Sequence, residues 1–164
     1  MIKEVNGNLL TYPNIQVLCH QVNALGVMGA GIAKQIKTKW PNVFEEYRSY
    51  CKDPDDPHKL LGKCQLVHIE SDRYVANLFG EYSFYESIAP YEEGGKPRHT
   101  DYDALKEALH RLHTWMVLND KVTVGIPFRL GAGLAGGNWD IIYKMVVDEF
   151  GDDEDITLYI VKYM

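Results

Sequence analysis

Two glycine-rich segments, each between a strand-like run and a helix-like run, constrain this chain more than any other feature. They are Gly26-Val-Met-Gly-Ala-Gly31 and Gly131-Ala-Gly-Leu-Ala-Gly-Gly137. Glycine allows positive φ and close approach of backbone to a ligand, and the start of a following helix offers unpaired N–H groups with partial positive charge. A pair of such loops predicts a phosphate or diphosphate held from both sides. The alternative is that the glycines only allow close packing of helix and strand.

Runs of strand-forming residues alternate with runs of helical apolar spacing along most of the chain. The predicted strands cover residues 16–22, 63–69, 74–79, 122–127 and 156–163, and the predicted helices begin near residues 32, 41, 103 and 139. This alternation predicts an α/β fold with a largely parallel sheet and helices on both faces. Ligands bind such sheets at the carboxyl ends of the strands, where both glycine segments fall.

Local signals refine this prediction. Residues 100–103 resemble a capping box at the start of the third helix, and Asn138 is the expected N-cap of the fourth. Residues 80–99 contain aromatics, prolines and paired glycines without a clear period, which predicts a long irregular loop. Loops of this length in a compact domain are often functional.

Composition predicts one ordinary globular domain over residues 1–164. The chain is 46% hydrophobic and 24% charged, and no apolar run approaches the length of a membrane span. We expect no membrane partner and, because the N-terminus lacks a secretory signal, a cytoplasmic location. The formal net charge of −6 argues against a protein whose main task is holding nucleic-acid backbone.

The cysteines and histidines do not indicate a metal centre or another cofactor. Three widely spaced cysteines are expected to be free and mostly buried thiols. The first glycine segment also lacks the Lys and Ser/Thr of a P-loop, and it does not fit the dinucleotide-binding fingerprint. No metal-ligand spacing relates the histidines to carboxylates or cysteines; these are His58, His68, His110 and His113.

Several segments together resemble the macro domain, an ADP-ribose-binding module. They are Gln21-Val-Asn-Ala, the first glycine segment continued to Ala33, Ile126-Pro, and residues 131–135 with Trp139. The resemblance covers nearly the whole chain and is closest to the branch of the ADP-ribose 1″-phosphate phosphatase and the single-domain ADP-ribosyl-glutamate hydrolase. It implies a three-layer α/β/α sandwich with a mixed, mostly parallel central sheet.

The same resemblance implies which residues bind the ligand. Asn8 stands where relatives have an aspartate that accepts from the adenine amino group, and an amide oxygen can still accept there. Asn23 corresponds to the asparagine that bonds the distal ribose, with a strand-end cap as the alternative. The amides of residues 29–32 would wrap the distal ribose and the adjoining phosphate, and those of residues 131–135 would cradle the diphosphate. Phe128, near a position where many relatives have arginine or another residue, would stack or form a wall. The implied ligand-binding residues are Asn8, Leu9, Asn23, Gly29, Ala30, Gly31, Ile32, Pro127, Phe128, Gly131, Ala132, Gly133, Leu134 and Ala135.

Catalytic residues are less well indicated. The ADP-ribosyl-glutamate hydrolase uses a lysine and an aspartate, and Glu81 and Ala135 stand at those positions, so that mechanism is not supported. His20, at the end of a strand entering the first loop, is the predicted base, with a core histidine bonded within the sheet as the alternative. Other side chains in or beside the irregular loop could reach the ligand, or be solvated or packing residues; these are Glu81, Tyr82, Tyr85 and His99.

Three functions follow from this resemblance. The leading hypothesis is removal of the phosphate from ADP-ribose 1″-phosphate, with His20 activating water. The second is cleavage of an ADP-ribosyl bond on a protein or nucleic acid. The third is a non-catalytic reader that binds ADP-ribose, and a small α/β protein for another nucleotide remains as the general alternative.

Overall fold

One mixed sheet organises the protein. The computed structural model describes residues 1–88 and 97–163, and in this part of the chain six strands are hydrogen-bonded in the order β1-β6-β5-β2-β4-β3. Every neighbouring pair is parallel except β3 and β4. The strands are β1 (Ile2–Asn6), β2 (Val17–Val22), β3 (Cys64–Glu70), β4 (Arg73–Phe79), β5 (Thr123–Pro127) and β6 (Thr157–Lys162).

Helices cover both faces of this sheet and bury two separate apolar clusters. One cluster joins the sheet to the first two helices and the other joins it to the last two. The arrangement confirms the predicted three-layer α/β/α sandwich with a mixed, mostly parallel sheet. The helices are α1 (Gly31–Lys39), α2 (Pro41–Lys52), α3 (Tyr102–Leu118) and α4 (Trp139–Phe150), with a 3-10 turn at Pro57–Leu60.

Strand β2 lies between β4 and β5 and contributes to both clusters. Val17 and Cys19 belong to the cluster under α3 and α4, whereas Leu18 and Val22 belong to the cluster under α1 and α2. This alternation follows from the two-residue period of a strand. Because β5, β2 and β4 are adjacent and parallel, the loops that follow them all begin at the same edge of the sheet.

Two local predictions have different outcomes. Asn138 caps α4, since its side chain accepts a hydrogen bond from the Asp140 amide, as predicted. The capping box at residues 100–103 is wrong, because Asp101 is the N-cap of α3 and its side chain accepts from the Ala104 amide. The side chain of Thr100 is instead turned to the second glycine loop.

The predicted long loop has no helix or named strand in the parts that the structure describes, residues 80–88 and 97–99. Two isolated bridges tie it together, Glu81 with Thr100 and Ile88 with Arg98. The rest of that prediction, residues 89–96, lies outside the described residues. The three cysteines are free, and two of them are buried. None of the helices in residues 1–88 and 97–163 has the length and apolarity needed to cross a membrane.

Candidate ligand-binding site

A cavity of about 640 Å³ lies at the carboxyl edge of β5, β2 and β4, between the two glycine loops. Its lining includes most of the residues that the sequence predicted as ligand contacts. They are Asn23, Gly29, Ala30, Gly31, Ile32, Pro127, Phe128, Gly131, Gly133, Leu134 and Ala135. Two regions distant in sequence therefore form one site.

The first glycine loop presents unpaired backbone donors at the start of α1. The N-cap Ala30 has extended backbone and no side-chain hydrogen bond, and Gly31 follows with a φ of +57°. Within the described part of the chain, the amide N–H groups of residues 29–32 have no hydrogen-bond partner. Such donors at a helix N-terminus, together with the helix dipole, attract an anion.

The side chain of Asn23 fixes the backbone at the start of this loop. Its Oδ1 accepts hydrogen bonds from the Leu25 amide at 3.0 Å and the Tyr47 hydroxyl at 2.8 Å, and its Nδ2 donates to the Val27 carbonyl at 2.9 Å. Burial raises the pKa of the Tyr47 hydroxyl far above its ordinary value, so this group stays a donor. Asn23 is therefore a strand-end cap. Its amide nitrogen carries a second hydrogen that can donate to a ligand, so contact with a ribose stays a prediction.

The second glycine loop repeats the arrangement opposite the first. Gly131 has a φ of +68°, and in residues 1–88 and 97–163 nothing accepts from its amide or from those of Gly133, Leu134 and Ala135. The Ala135 carbonyl accepts from the His99 amide at 2.7 Å. Successive free N–H groups form a concave anion-binding surface.

The two loops approach each other at the mouth of the cavity. A Cβ built on Gly31 would lie 4.0 Å from Cδ1 of Leu134. Leu134 is nevertheless 82% exposed, and Phe84, which also lines the cavity, is 51% exposed. Large apolar side chains this exposed at a cavity are an apolar rim that a ligand can bury.

Three of the predicted ligand contacts do not line the cavity. Asn8 uses its Oδ1 to accept from the Leu10 amide at 2.9 Å, and Leu9 is 4% exposed. Ala132 is buried and donates its amide to the Arg129 carbonyl at 2.8 Å. The contact of Asn8 with adenine and the contact of Leu9 with the ligand stay predictions.

Phe128 lines the cavity and is held by two neighbours. Its ring meets Trp139 edge to face, with centroids 5.3 Å apart. The Lys162 ammonium lies 5.2 Å from the centre of the same ring. This fixed aromatic surface is compatible with the stacking or wall role that the sequence suggested.

His20 borders the cavity but has no exposed surface. Its Nε2 lies 2.6 Å from Oδ1 of Asn77, and the Asn77 amide nitrogen donates to Gln65. Oδ1 can only accept, so Nε2 carries the proton and Nδ1 has no partner among the described residues. Burial lowers the pKa of His20 to about 4, so the ring is neutral at pH 7. This is the geometry of a histidine bonded within the sheet, and its role as a base stays a prediction.

Two residues that the sequence left open, Glu81 and His99, line the cavity. Tyr82 instead stacks on His58, with ring centroids 3.8 Å apart, and Tyr85 is 66% exposed beside Phe84. The positions of Glu81 and His99 in the site were hard to predict from sequence, because each residue reaches the cavity only when the loop after β4 folds. In the part of the chain that the structure describes, no group of three or more His, Cys, Asp or Glu could hold a metal ion.

Comparison with known proteins finds relatives that match nearly the whole chain and whose names describe enzymes acting on ADP-ribose derivatives. No family model matches it. It is 30% identical to an ADP-ribose 1″-phosphate phosphatase of Debaryomyces hansenii, over 98% of this chain and 99% of that protein. It is also 40% identical to a DNA ADP-ribosyl glycohydrolase of Thermus aquaticus, over 98% of this chain and 41% of that protein.

Solved structures give the same fold. The macrodomain of Thermus aquaticus DarG superposes with a TM-score of 0.79 at 22% identity, covering 98% of this chain and 97% of that one. Thermosipho africanus DarTG in complex with ADP-ribose gives 0.70 at 20% identity, covering 92% of this chain and 38% of that one. By its sequence relatives and its fold, this chain belongs to the macro domain family.

Proposed function

We propose that this protein binds ADP-ribose or a derivative between its two glycine loops and hydrolyses the phosphate from ADP-ribose 1″-phosphate. The observation that carries the proposal is the two sets of unpaired backbone N–H groups, residues 29–32 and the second loop, lining one cavity. Most of these residues are exposed, so an anion in the cavity can reach their amides, and donors at a helix N-terminus or in a concave backbone loop attract it. Two facing sets suit a diphosphate.

The rest of the cavity suits the sugar and base of such a ligand. Its volume of about 640 Å³ lies in the range of small-molecule sites, and its walls are mostly apolar, including Phe84, Phe128 and Leu134. Similarity to a structure that holds ADP-ribose supports the same ligand here. Binding through backbone amides needs no metal.

Phosphatase activity is supported by the relatives that match this chain from end to end. Besides the Debaryomyces protein, an ADP-ribose 1″-phosphate phosphatase of Saccharomyces cerevisiae matches 96% of this chain and 97% of its own length. The glycohydrolase relative supports a second candidate, removal of ADP-ribose from DNA or another macromolecule. A reader without activity is the third, since Glu81 and Ala135 replace the lysine and aspartate that the resemblance implies for an ADP-ribosyl-glutamate hydrolase.

The first test is calorimetric titration with ADP-ribose, with ADP and AMP as controls. We expect micromolar affinity for ADP-ribose that exceeds the affinity for both controls, because the distal ribose adds contacts near the first loop. The purified protein is then incubated with ADP-ribose 1″-phosphate, and release of inorganic phosphate is measured. Binding without turnover on this substrate, on ADP-ribosylated DNA or on ADP-ribosylated protein would leave the reader function.

Gly133 offers a variant that tests the cavity without disturbing the fold. A Cβ built on it would meet nothing within 4 Å, whereas one on Gly136 would lie 2.1 Å from the Pro97 carbonyl oxygen. Gly133→Glu places a carboxylate among the donors of the second loop, so we expect ADP-ribose binding and phosphate release to be lost. Gly133→Ala is the matched control and should retain both. Unchanged binding by Gly133→Glu would show that the ligand lies elsewhere.

A further inference from the structure

The cavity contains one carboxyl group among the residues that the structure describes, that of Glu81. It shares the lining with two histidines, His20 and His99, and with Arg129, whose guanidinium donates to the Ala132 carbonyl at 3.2 Å. His20 has no exposed surface, whereas His99 is 9% exposed and Glu81 is half-buried, so Glu81 and His99 are better suited to proton transfer with a ligand in the cavity.

Glu81 occupies a site that favours the uncharged form of its carboxyl. It lies two residues beyond the end of β4, where its backbone forms a bridge with Thr100. Over residues 1–88 and 97–163, its carboxyl makes no hydrogen bond or ion pair. Burial raises the pKa of Glu81 to about 7. A carboxylic acid that is protonated near neutral pH and lines a cavity is suited to act as a general acid.

His99 is oriented so that it can accept a proton rather than donate one. Its Nδ1 lies 2.7 Å from the Glu86 carbonyl oxygen, and a carbonyl only accepts, so Nδ1 carries the proton. In the described part of the chain Nε2 has no hydrogen-bond partner, and in the neutral imidazole this nitrogen is the one that can accept a proton. The backbone amide of His99 donates to the Ala135 carbonyl at 2.7 Å, which ties this histidine to the second glycine loop. A neutral imidazole oriented through Nδ1 is suited to act as a general base.

Folding places both residues in the lining of one cavity. His99 immediately precedes Thr100, the bridge partner of Glu81, so both side chains leave neighbouring backbone segments at the same cavity. The chain between them is the irregular loop after β4. Their separation in sequence therefore gives no indication that they line the same cavity.

We propose that Glu81 and His99 are the general acid and the general base of the hydrolysis described above. This inference rests on the proposed phosphatase function. A water oxygen bonds to the phosphorus while the bond between phosphorus and O1″ breaks. Nε2 of His99 takes a proton from that water, and the carboxyl of Glu81 gives its proton to O1″. The products are ADP-ribose and inorganic phosphate. His99 then releases its proton to solvent and Glu81 takes one up, so the cycle consumes one water and involves no redox change.

Conservative variants test the two roles separately from binding. We expect Glu81→Gln and His99→Gln each to lower kcat by about 100-fold or more, the scale of general acid or base catalysis. The dissociation constant for ADP-ribose should change by less than about threefold, because the lost interactions form in the transition state. Glu45→Gln and His110→Gln, at exposed positions on α2 and α3, are the matched controls and should retain the wild-type kcat.

The pH dependence of kcat/KM provides a second readout, because a purely structural role of Glu81 would leave it unchanged. For the wild type, kcat/KM should fall as the pH rises through about 7, because the free protein loses the Glu81 proton that the leaving group needs. Glu81→Gln should show a low rate without that fall. Thermal melting of each variant identifies any that does not fold.

The outcomes separate this inference from the proposed function. A wild-type protein that binds ADP-ribose but releases no phosphate would contradict the phosphatase function and this pair with it. A wild-type protein that turns over while folded Glu81→Gln or His99→Gln keeps the full rate and the same pH profile would contradict the pair alone. Loss of rate in both variants with ADP-ribose affinity intact supports it.

Discussion

The hydroxyl of Thr100 donates a hydrogen bond of 2.6 Å to the carbonyl of Gly131. The same hydroxyl accepts from Nε2 of Gln21 at 2.9 Å. These contacts join the segment after β4, the end of β2 and the second glycine loop at the floor of the cavity. Because Gly131 has a positive φ, a side-chain contact at its carbonyl helps to fix the loop in the conformation that leaves its amides unpaired.

Thr100→Val should therefore weaken ligand binding through the shape of the second loop. Valine keeps the volume but removes the hydroxyl, which leaves the Gly131 carbonyl and the Gln21 amide without this partner. We expect the free energy of unfolding to fall by about 1 to 3 kcal/mol. Affinity for ADP-ribose should fall about tenfold, measured by calorimetry at a temperature where the variant is fully folded.

Thr38→Val is the control for this prediction. Thr38 also donates from its hydroxyl to a carbonyl, that of Lys34 at 3.0 Å, but it does so on the exposed surface of α1. Ligand affinity should not change in this variant. Equal affinities in Thr100→Val and the wild type would show that the loop keeps its shape without the hydroxyl.

Leu134→Ala should lower affinity without lowering stability. Leu134 is 82% exposed in the free protein and faces the first loop across the mouth of the cavity, so a ligand that enters there buries it. Loss of roughly 1.4 kcal/mol of apolar contact corresponds to about tenfold weaker binding. The melting temperature should stay within about 1 °C, since an exposed side chain contributes little to folding.

Leu118→Ala is the matched control. Leu118 ends α3, is 76% exposed, and does not line the cavity. Its removal should change neither affinity nor stability. If both leucine variants bind ADP-ribose like the wild type, the ligand does not contact the rim formed by the second loop.

The sheet and the two loops could be predicted because their signals are local. The strand β2 is rich in strand-forming residues and is buried throughout except at Gln21, and the first glycine of its loop follows after three intervening residues. The second loop follows β5 after the same interval. The edge strand β1 (Ile2–Asn6) was not predicted from its own residues, since it is short, carries two charges and is only partly buried. Its pairing with β6, at the far end of the chain, is what makes it a strand.

The polar residues of the site could be predicted only in part, because their roles depend on packing. Thr100 fits a capping pattern in sequence, but Asp101 is the better-placed cap and the hydroxyl bonds to Gly131. Glu81 has no neighbour in sequence that indicates burial. Its elevated pKa follows from the desolvation that the folded loop imposes.

His113 should make stability depend on pH. Its Nδ1 lies 2.7 Å from Glu149 and its Nε2 lies 2.7 Å from Asp153. Burial lowers the pKa of His113, but these two hydrogen bonds outweigh it, so the pKa is raised overall. A raised folded-state pKa contributes stability that is fully present below the unfolded-state value near 6.5 and is lost as the pH rises through the folded-state value.

The variant His113→Gln measures this contribution. Urea unfolding should show the wild type more stable than the variant, with a larger difference at pH 6 than at pH 8.5, because the two carboxylates stabilise the protonated form of His113. The His110→Gln variant tests specificity, because His110 contacts Glu149 from a more exposed position. A wild-type advantage that does not vary with pH would mean that His113 is neutral in this cluster.

His20 gives the sharpest contrast between a structural role and a catalytic one. In the structure its Nε2 donates to Asn77 in the buried sheet, so His20→Ala should lower the free energy of unfolding by about 2 to 4 kcal/mol through the cavity and the lost hydrogen bond. In His20→Gln an amide N–H can replace that donor, and stability should partly return. We expect folded His20→Gln to keep kcat within about threefold of the wild type, because Glu81 and His99 supply the proton transfers. A 100-fold loss of kcat in His20→Gln, with a normal melting temperature and normal ADP-ribose affinity, would instead identify His20 as the base.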